Sequence, residues 1–320
     1  MSWLRLIRWS NLLIILLTQL LAWWCLIVPV QQHAPGTLLL TPFNFSLLCL
    51  STVLIAAAGY IINDYFDIRI DAINKPDKVI LERQIPRKRA IIVHSVLNVL
   101  ALLLAGIVAW QARHLEWLLL QAGCTYLLWR YSTTWKRQFM TGNLVVAFMT
   151  ALTILALVLY EPGLQRFFKK CIFVNPMDAS YHLNPLLMLG FFCFFAFILT
   201  WMREIVKDME DYKGDAEEGC ITMPIKWGLK RTIHFIRFLG IIASVVIGLS
   251  AGAFFYLDAM SKDNFYMTGA MALLFITLLG WLFSIGRRFT AAYFHSISRW
   301  LKIIMVLGIG SLVVYHYQYG

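Results

Sequence analysis

Nine long apolar segments most strongly constrain how this chain can fold. Each has roughly the 20 residues that an α-helix needs to cross the hydrocarbon core of a bilayer. Because 60% of the 320 residues are hydrophobic and only 14% are charged, a soluble globular domain is excluded. The sequence predicts an all-α polytopic membrane protein whose first apolar segment is a spanning helix and not a signal peptide. The predicted spans are 11–30, 43–63, 90–110, 115–132, 142–160, 183–203, 233–257, 265–285 and 296–317.

The formal net charge of +11 does not indicate a nucleic-acid partner, because basic residues also set the orientation of membrane proteins. If the N-terminus is cytosolic, the predicted cytosolic segments and their flanks hold 23 of the 28 lysines and arginines. Three of the remaining five lie in a long outer connection, residues 161–182. This asymmetry predicts a multi-pass protein with a cytosolic N-terminus and an outer C-terminus. The expected partner is membrane lipid, and no nucleic-acid partner is expected.

Two long cytosolic connections, 64–89 and 203–232, hold 12 of the 17 acidic residues. Each begins with or contains the pattern D-x-x-D-x-x-x-D, and the two copies start 144 residues apart. Both follow a span that is predicted to run from the outside inwards. We therefore expect a single domain, 1–320, with two motif-bearing parts of about 1–141 and 142–320. The six motif residues are Asp64, Asp67 and Asp71 in the first copy and Asp208, Asp211 and Asp215 in the second.

The spacing of the motifs places their carboxylates on one side of a helix. Positions i, i+3 and i+7 share a helical face, so each motif can present an acidic stripe that continues its transmembrane helix. Two facing acidic stripes repel each other unless cations lie between them. Mg²⁺ suits such oxygen ligands and usually takes one or two carboxylates together with phosphate oxygens. Basic residues that could neutralise the other oxygens of a diphosphate are Arg69, Lys75, Lys78, Arg83, Lys136, Arg137, Arg203, Lys207 and Lys213.

At these residues the chain resembles the UbiA-type intramembrane prenyltransferases. Asn63 and the first three aspartates are similar to the family signature N-D-x-x-D-x-x-x-D, and the second copy follows the sixth predicted helix, as in the family. Arg8-x-x-Asn11 resembles the family pattern R-P-x-N. Tyr131-Ser132-x-x-x-Lys136-Arg137 and the segment 142–147 resemble its fourth-loop pattern. The resemblance implies a bundle of nine transmembrane helices around a central cavity, capped by the cytosolic loops that carry the two motifs.

The resemblance also implies a reaction and roles for its residues. An isoprenyl group would pass from an isoprenyl diphosphate to a lipophilic acceptor, through an allylic carbocation and with release of pyrophosphate. Mg²⁺, expected as two ions, would be bound by all six motif aspartates, although Asp71 is alternatively expected to orient a cation or activate the acceptor. The expected catalytic groups are Asp67, Asp71, Asp211 and Lys136. The expected substrate-binding residues are Asn11, Asn63, Arg69, Lys75, Lys78, Tyr131, Lys136, Arg137, Arg203 and Lys207; for Asn11, a plain helix–helix hydrogen bond is the alternative.

The first loop departs from the family pattern N-x-P-D-R-P. Here Asn74-Lys75-Pro76-Asp77 is followed by Lys78 and Val79, and the usual glycine of the next turn is missing. Lysine can bind phosphate, but only as a point charge and without the bidentate geometry of arginine. The sequence therefore makes no prediction of the conformation of this loop.

Three alternatives concern the acceptor and the class of protein. The second signature resembles most the digeranylgeranylglyceryl phosphate synthase branch of the family, which adds a geranylgeranyl chain to geranylgeranylglyceryl phosphate in a prokaryotic cell membrane. An aromatic acceptor, such as 4-hydroxybenzoate, a quinone precursor or a haem, is the second possibility. A divalent-cation transporter or a membrane scaffold is the third, but a transporter would carry its acidic residues near the bilayer midplane rather than at one face.

Overall fold

The computed structural model describes residues 2–29, 40–161, 163–164, 185–261 and 264–319. Within these ranges every predicted span is helical, and short helical turns of other types lie at Trp23–Ile27, Pro76–Lys78 and Trp135–Arg137. In chain order the α-helices are α1 (Ser2–Leu6), α2 (Trp9–Ala22), α3 (Pro42–Asn74), α4 (Arg87–Ala112), α5 (Glu116–Thr133), α6 (Thr141–Leu159), α7 (Pro185–Glu210), α8 (Tyr212–Glu217), α9 (Met223–Trp227), α10 (Leu229–Ser261), α11 (Tyr266–Ser284) and α12 (Ala291–Tyr319).

Eight of the helices in the described ranges are long and apolar enough to cross a membrane. The fourth predicted span is α5, which has 18 residues but is less apolar because it carries Glu116, Gln121 and Arg130. The buried amide of Gln121 is satisfied within the bundle, where it donates a hydrogen bond to the Tyr160 hydroxyl at 2.5 Å. The predicted all-α, multi-spanning fold is confirmed. The basic outer connection 161–182 lies almost entirely outside the described residues.

Helix α3 carries the first motif at its C-terminal end. It begins at Pro42, and the Thr41 side chain caps it by accepting a hydrogen bond from the Asn44 backbone N–H at 3.2 Å. Its 33 residues correspond to about 50 Å, against about 30 Å for the hydrocarbon core of a bilayer. The last turns of α3, where the aspartates lie, therefore extend beyond the apolar region. The helix ends at Asn74, two residues before Pro76, which cannot continue the hydrogen-bonded ladder.

The two motif-bearing helices are central to the packing. Helix α3 packs against α2, α4 and α5, whereas α7 packs against α6, α10 and α12. The short helix α8, which follows α7, packs against α3 and so joins the cytosolic ends of the two groups. This packing brings the two motifs to one end of the bundle.

The second motif does not form the continuous helical stripe that its spacing predicts. Helix α7 ends at Glu210, Asp211 adopts φ −93° and ψ 10°, and the chain turns before α8 begins at Tyr212. The prediction of one uninterrupted helix through Asp208, Asp211 and Asp215 was therefore wrong. The turn is stabilised from outside the motif, because the Asn74 side chain donates a hydrogen bond to the Asp211 carbonyl at 3.0 Å.

Candidate active site

The first motif presents its carboxylates from one face of α3. Asp67 is buried, accepts a hydrogen bond from the Asn63 amide at 2.8 Å, and forms an ion pair with Lys136. Asp64, one turn earlier, is 2.7 Å from the guanidinium of Arg8. Each of these two carboxylates is thus already directed by a side chain from another part of the chain.

The second motif is organised by different partners. Asp208, at the end of α7, accepts a hydrogen bond from the side-chain amide of Asn143 at 2.8 Å. Asp211 forms an ion pair with Lys75, which lies just after α3, with 2.7 Å between Nζ and Oδ1. The same ammonium group is 2.9 Å from Oε1 of Glu210. Asp215 is buried on α8. Lys75 therefore links the end of α3 to the second motif.

Carboxylates of the two motifs lie close enough to act on one another. Asp71 interacts electrostatically with Asp67 and with Asp211, and Asp215 interacts with the same two residues. The Asn74 side chain accepts a hydrogen bond from the Gly214 backbone N–H at 2.8 Å and donates one to the Asp211 carbonyl, which fixes α8 against α3. The structure thus brings all six motif aspartates into one acidic region.

Burial and neighbouring charges shift the pKa values of site residues that lie outside the membrane-spanning helices. Burial raises the pKa of Asp215 to about 7, and the nearby carboxylates of Asp211 and Asp67 add to this effect. Burial alone would lower the pKa of Lys136, but the adjacent Asp67 carboxylate outweighs it and the pKa lies above its usual value. The pKa of Lys75 is likewise raised, because Asp211 and Glu210 outweigh its burial. Both lysines are therefore firmly protonated at neutral pH.

The donor chemistry of this region fits Mg²⁺. In the described part of the chain, no three carboxylates are gathered into a single coordination shell. Mg²⁺ does not need such a cluster, because it commonly takes one or two carboxylates and completes its shell with water and phosphate oxygens. The side chains of Asp71 and Asp215 have no hydrogen-bond or ion-pair partner among the described residues, although Asp215 is only 5% exposed. A buried carboxylate of this kind is costly unless a cation compensates it.

The other predicted substrate-binding residues divide into four groups. Tyr131 lies close enough to Lys136, Asp67 and Asp208 to interact with them electrostatically, and Asn63 contacts Asp67 directly. Arg69 and Arg137 are exposed and take part in none of the ion pairs among the described residues. The backbone of Lys78 lies in the turn Pro76–Lys78, but its side chain is outside what the structure describes. Asn11, Arg203 and Lys207 lie deeper in the bundle.

The deeper residues include functional candidates that sequence reasoning missed. Glu204 accepts hydrogen bonds from Arg203 at 2.8 Å and from Lys207 at 2.9 Å. The ammonium group of Lys302, on α12, donates a hydrogen bond to the Asn11 side chain at 2.6 Å. Lys302 could have been found, because a lysine inside a predicted span, 296–317, is itself a functional signal. Asn74 and Asn143 each lie in a segment that resembles a family pattern, but their partners, which are distant in sequence, could not be predicted.

Comparison with known proteins identifies the family. The profile of the UbiA prenyltransferase family matches residues 21–300, which is most of the chain. The chain belongs to the UbiA prenyltransferase family. This UbiA protein is therefore an integral, multi-pass membrane enzyme that transfers prenyl groups, and the transporter and scaffold alternatives are not supported.

Individual relatives agree with this assignment. The UbiA chain is 30% identical over 239 residues to digeranylgeranylglyceryl phosphate synthase from Methanothermobacter thermautotrophicus, covering 74% of this chain and 70% of the relative. A solved structure of a digeranylgeranylglyceryl phosphate synthase superposes with a TM-score of 0.63, at 22% identity, over 98% of this chain and 97% of the other. A UbiA homologue from Archaeoglobus fulgidus, solved with bound DMAPP and Mg²⁺, gives a TM-score of 0.57 at 18% identity, over 98% of this chain and 100% of the other. These two structures share the fold.

Proposed function

We propose that this protein transfers a geranylgeranyl group from geranylgeranyl diphosphate to the free hydroxyl of geranylgeranylglyceryl phosphate, in a Mg²⁺-dependent reaction. The observation that carries the proposal is the convergence of the two aspartate motifs, with Lys75 and Lys136 paired to their carboxylates. The named relative from M. thermautotrophicus supports the acceptor, and the Mg²⁺-bound and DMAPP-bound homologue from A. fulgidus supports the metal and the class of donor.

The reaction breaks the bond between C1 of the prenyl chain and a diphosphate oxygen. The electron pair stays with the diphosphate, the allylic carbon is attacked by the acceptor oxygen, and the hydroxyl proton is released. Bound Mg²⁺ would neutralise the charge that develops on the leaving diphosphate. The residues that would hold it are Asp64, Asp67, Asp208, Asp211 and Asp215, among which Asp215 is without a side-chain partner in the described ranges.

The protein's own cations are placed to act on the same leaving group. Lys136 and Lys75 are protonated, and each lies against one motif, so both can move a short distance from carboxylate to phosphate oxygens. Tyr131 and Asn63 lie beside Lys136 and its partner Asp67 and can hold these groups in place. Asp71, whose carboxylate is free among the described residues, is the best candidate to accept the proton of the acceptor hydroxyl.

The decisive experiment measures pyrophosphate release from geranylgeranyl diphosphate by the full-length protein in lipid nanodiscs. The acceptor panel contains geranylgeranylglyceryl phosphate, 4-hydroxybenzoate and no acceptor, each with Mg²⁺ and with EDTA. We expect release that needs both Mg²⁺ and geranylgeranylglyceryl phosphate and that falls at least about 100-fold in Asp67→Asn and Asp211→Asn. Asp77→Asn, an exposed aspartate of the same loop, is the matched control and should retain activity. Release that requires 4-hydroxybenzoate instead would replace the proposed acceptor.

We further propose that the N-terminus and both motifs face the cytosol of a prokaryotic cell and that the C-terminus faces outwards. The support is the concentration of lysines and arginines in the connections on the motif side. Labelling of single cysteines with a membrane-impermeant maleimide would test it. A cysteine at position 77 should react in inverted vesicles only, and the opposite pattern would reverse the proposed orientation.

A further inference from the structure

The ammonium group of Lys75 contacts two consecutive carboxylates at the end of α7. Its Nζ atom is 2.7 Å from Oδ1 of Asp211 and 2.9 Å from Oε1 of Glu210. On a continuous helix, the side chains of adjacent residues point about 100° apart. Because α7 ends at Glu210 and the chain turns at Asp211, both carboxylates reach the same ammonium group. One cation is thus shared between two anions.

The two carboxylates differ in what else holds them. The Nδ1–H of His295, near the start of α12, donates a hydrogen bond to Oε1 of Glu210 at 3.0 Å. The Glu210 side chain is only 6% exposed, so its carboxylate depends on such partners. Oδ1 of Asp211 is also buried, but it accepts no hydrogen bond among the described residues, and its contact with Lys75 is an ion pair only. Glu210 is therefore the fixed partner of Lys75, and Asp211 is the partner that can be released.

Lys75 can change partners without a movement of its backbone. Its N–H donates a 2.8 Å hydrogen bond to the Asp71 carbonyl and so closes the end of α3. The preceding residue, Asn74, is hydrogen-bonded to the turn at Asp211. A lysine side chain is a flexible four-carbon stem with a compact charge, and it can contact one or both carboxylates from the same backbone position. The exchange therefore needs only rotation about side-chain bonds.

Asp211 cannot bind a divalent cation while it keeps its ion pair with Lys75. The bound cation and an ammonium group 2.7 Å from the same carboxylate would repel each other. An ammonium group released without another anion would be left unpaired, although its side chain is only 28% exposed. Glu210 already lies at contact distance and is not one of the six motif aspartates. Asp211 can therefore give up Lys75 without leaving the lysine unpaired.

We propose that Glu210 and His295 hold Lys75 in place when the adjacent aspartate releases it to bind Mg²⁺. These two positioning residues form an anchor, in which His295 orients the Glu210 carboxylate and Glu210 retains the ammonium group. The inference rests on the proposed function in one respect, the role of Asp211 as a metal ligand, and deepens it by naming the residues that make this ligand available. The retained ammonium group stays beside the motif, where it can contact oxygens of the leaving diphosphate.

The aspartate motifs do not specify this arrangement. Lys75 occupies the variable position of the family pattern N-x-P-D-R-P, and Glu210 occupies a variable position of D-x-x-D-x-x-x-D. His295 lies 85 residues after Glu210, on α12, which packs against α7. The last helix of the bundle thus reaches the second motif through one hydrogen bond.

The test measures metal binding without donor or acceptor, so its readout does not depend on catalysis. Mn²⁺ is the probe, and the EPR signal of free Mn²⁺ is followed while it is titrated into the full-length protein in phosphatidylcholine nanodiscs. Glu210→Gln keeps the shape of the side chain but removes its charge. We expect this variant to bind Mn²⁺ about 10-fold more weakly than the wild-type protein, because Lys75 stays on Asp211. Glu217→Gln, which changes an exposed carboxylate of α8, is the matched control and should bind normally.

A double-mutant cycle with Lys75→Met separates the exchange of partners from a simple loss of negative charge. If Glu210 acts by retaining Lys75, its substitution should weaken Mn²⁺ binding by less than about 2-fold in the Lys75→Met background. No ammonium group competes for Asp211 there. An equal loss in both backgrounds would overturn the proposal, since Glu210 would then act through its charge or the fold alone. Unchanged or tighter binding in Glu210→Gln with Lys75 present would overturn it as well.

His295→Ala tests the anchor without removing a carboxylate. We expect Mn²⁺ binding about 3-fold weaker when Lys75 is present and unchanged in the Lys75→Met background. His234→Ala, which changes an exposed histidine of α10, is the matched control. Normal binding in His295→Ala would exclude this histidine from the anchor. If Glu210→Gln is unstable in thermal denaturation, His295→Ala decides, and normal binding would then overturn the whole proposal.

Failure of the anchor can be distinguished from failure of the proposed function. Asp211→Asn should weaken Mn²⁺ binding at least about 10-fold, because a ligand is changed. If it does, but the loss in Glu210→Gln is the same with and without Lys75, only the anchor fails. If the anchor behaves as expected but the wild-type protein releases no pyrophosphate with any acceptor, only the proposed function fails. Normal Mn²⁺ binding in Asp211→Asn would contradict both, because both assign this residue to the metal.

Discussion

Asn74 and Gly214 lie 140 residues apart, yet the Asn74 side chain accepts a 2.8 Å hydrogen bond from the Gly214 backbone. The other end of the same amide donates to the Asp211 carbonyl at 3.0 Å. One side chain at the end of α3 thus fixes both the turn after α7 and the start of α8. It determines how the two aspartate motifs face each other.

We expect Gly214→Ala to disrupt this junction. A Cβ atom at this position would lie 2.5 Å from Asn74 Nδ2 and 2.9 Å from the Ile70 carbonyl oxygen, which belongs to the α3 backbone and cannot easily move. The substitution should lower stability by about 1–3 kcal/mol and reduce activity more than 10-fold. Thermal denaturation and initial rates at saturating Mg²⁺ measure the two effects. Gly123→Ala, which meets no atom within 4 Å inside α5, is the control, and equal effects in both variants would contradict the prediction.

Asn143→Ala should weaken Mg²⁺ binding without changing a carboxylate. Asn143 donates its 2.8 Å hydrogen bond to Oδ2 of Asp208 and so orients a proposed ligand. Loss of such a supporting hydrogen bond typically reduces metal affinity about 10- to 100-fold. When activity is measured against Mg²⁺ concentration, the half-maximal rate should therefore require a correspondingly higher Mg²⁺ concentration. The maximal rate should be recovered at saturating Mg²⁺. Asn98→Ala, which removes an asparagine that contacts His94 on α4, should leave the titration unchanged.

Gly142→Ala should displace Lys136. A Cβ atom at position 142 would lie 2.8 Å from the Lys136 Cα and 2.9 Å from the Trp135 carbonyl oxygen, so the turn Trp135–Arg137 would have to shift. Because Lys136 is paired with Asp67 in the site, we expect kcat to fall at least about 10-fold, since misplacement by about 1 Å is costly in catalysis. The protein should remain folded. Full activity in Gly142→Ala would mean that Lys136 does not depend on this turn; Gly252→Ala, in open space on α10, is the control.

Glu82→Gly should stabilise the protein. Glu82 has a φ of 68° in the turn where the family pattern has glycine, and a left-handed conformation costs a residue with a side chain about 1–2 kcal/mol. Its ion pair with Arg87 is exposed and contributes little. After the entropic cost of glycine, a gain of up to about 1 kcal/mol remains, which a raised melting temperature would reveal. Arg83→Gly, at a neighbouring residue without a positive φ, should lower the melting temperature instead. A change of the melting temperature in the same direction in both variants would contradict this account.

The spans were predictable because the bilayer imposes one length on every apolar helix. In the part of the chain that the structure describes, all nine predicted segments form helices, although α3, α7 and α10 extend further than their apolar cores because polar turns continue them. The position of Arg69 could also have been anticipated. It lies two residues from both Asp67 and Asp71, about 200° around the helix from either, and so it points away from the acidic stripe.

Other features of the site depend on contacts that no local pattern contains. The break at Asp211 interrupts a spacing that is fully compatible with a helix, and the turn is stabilised by a hydrogen bond from Asn74, 137 residues earlier. The position of Lys302 depends on Asn11, which is 291 residues away in sequence. The identities of these residues were visible, but their pairing was not. The sequence therefore predicted the kinds of groups in the site better than their arrangement.

The length of α3 has a consequence for how the two products separate. Its polar end, from Asn63 onwards, projects past the hydrocarbon layer, so the proposed leaving group forms at the water boundary. Pyrophosphate can dissolve in the aqueous phase, whereas the elongated lipid stays in the two-dimensional phase of the membrane. Reversal would require the two to meet again at the same interface. The position of the site thus lets the water-soluble product and the lipid product leave directly into different phases.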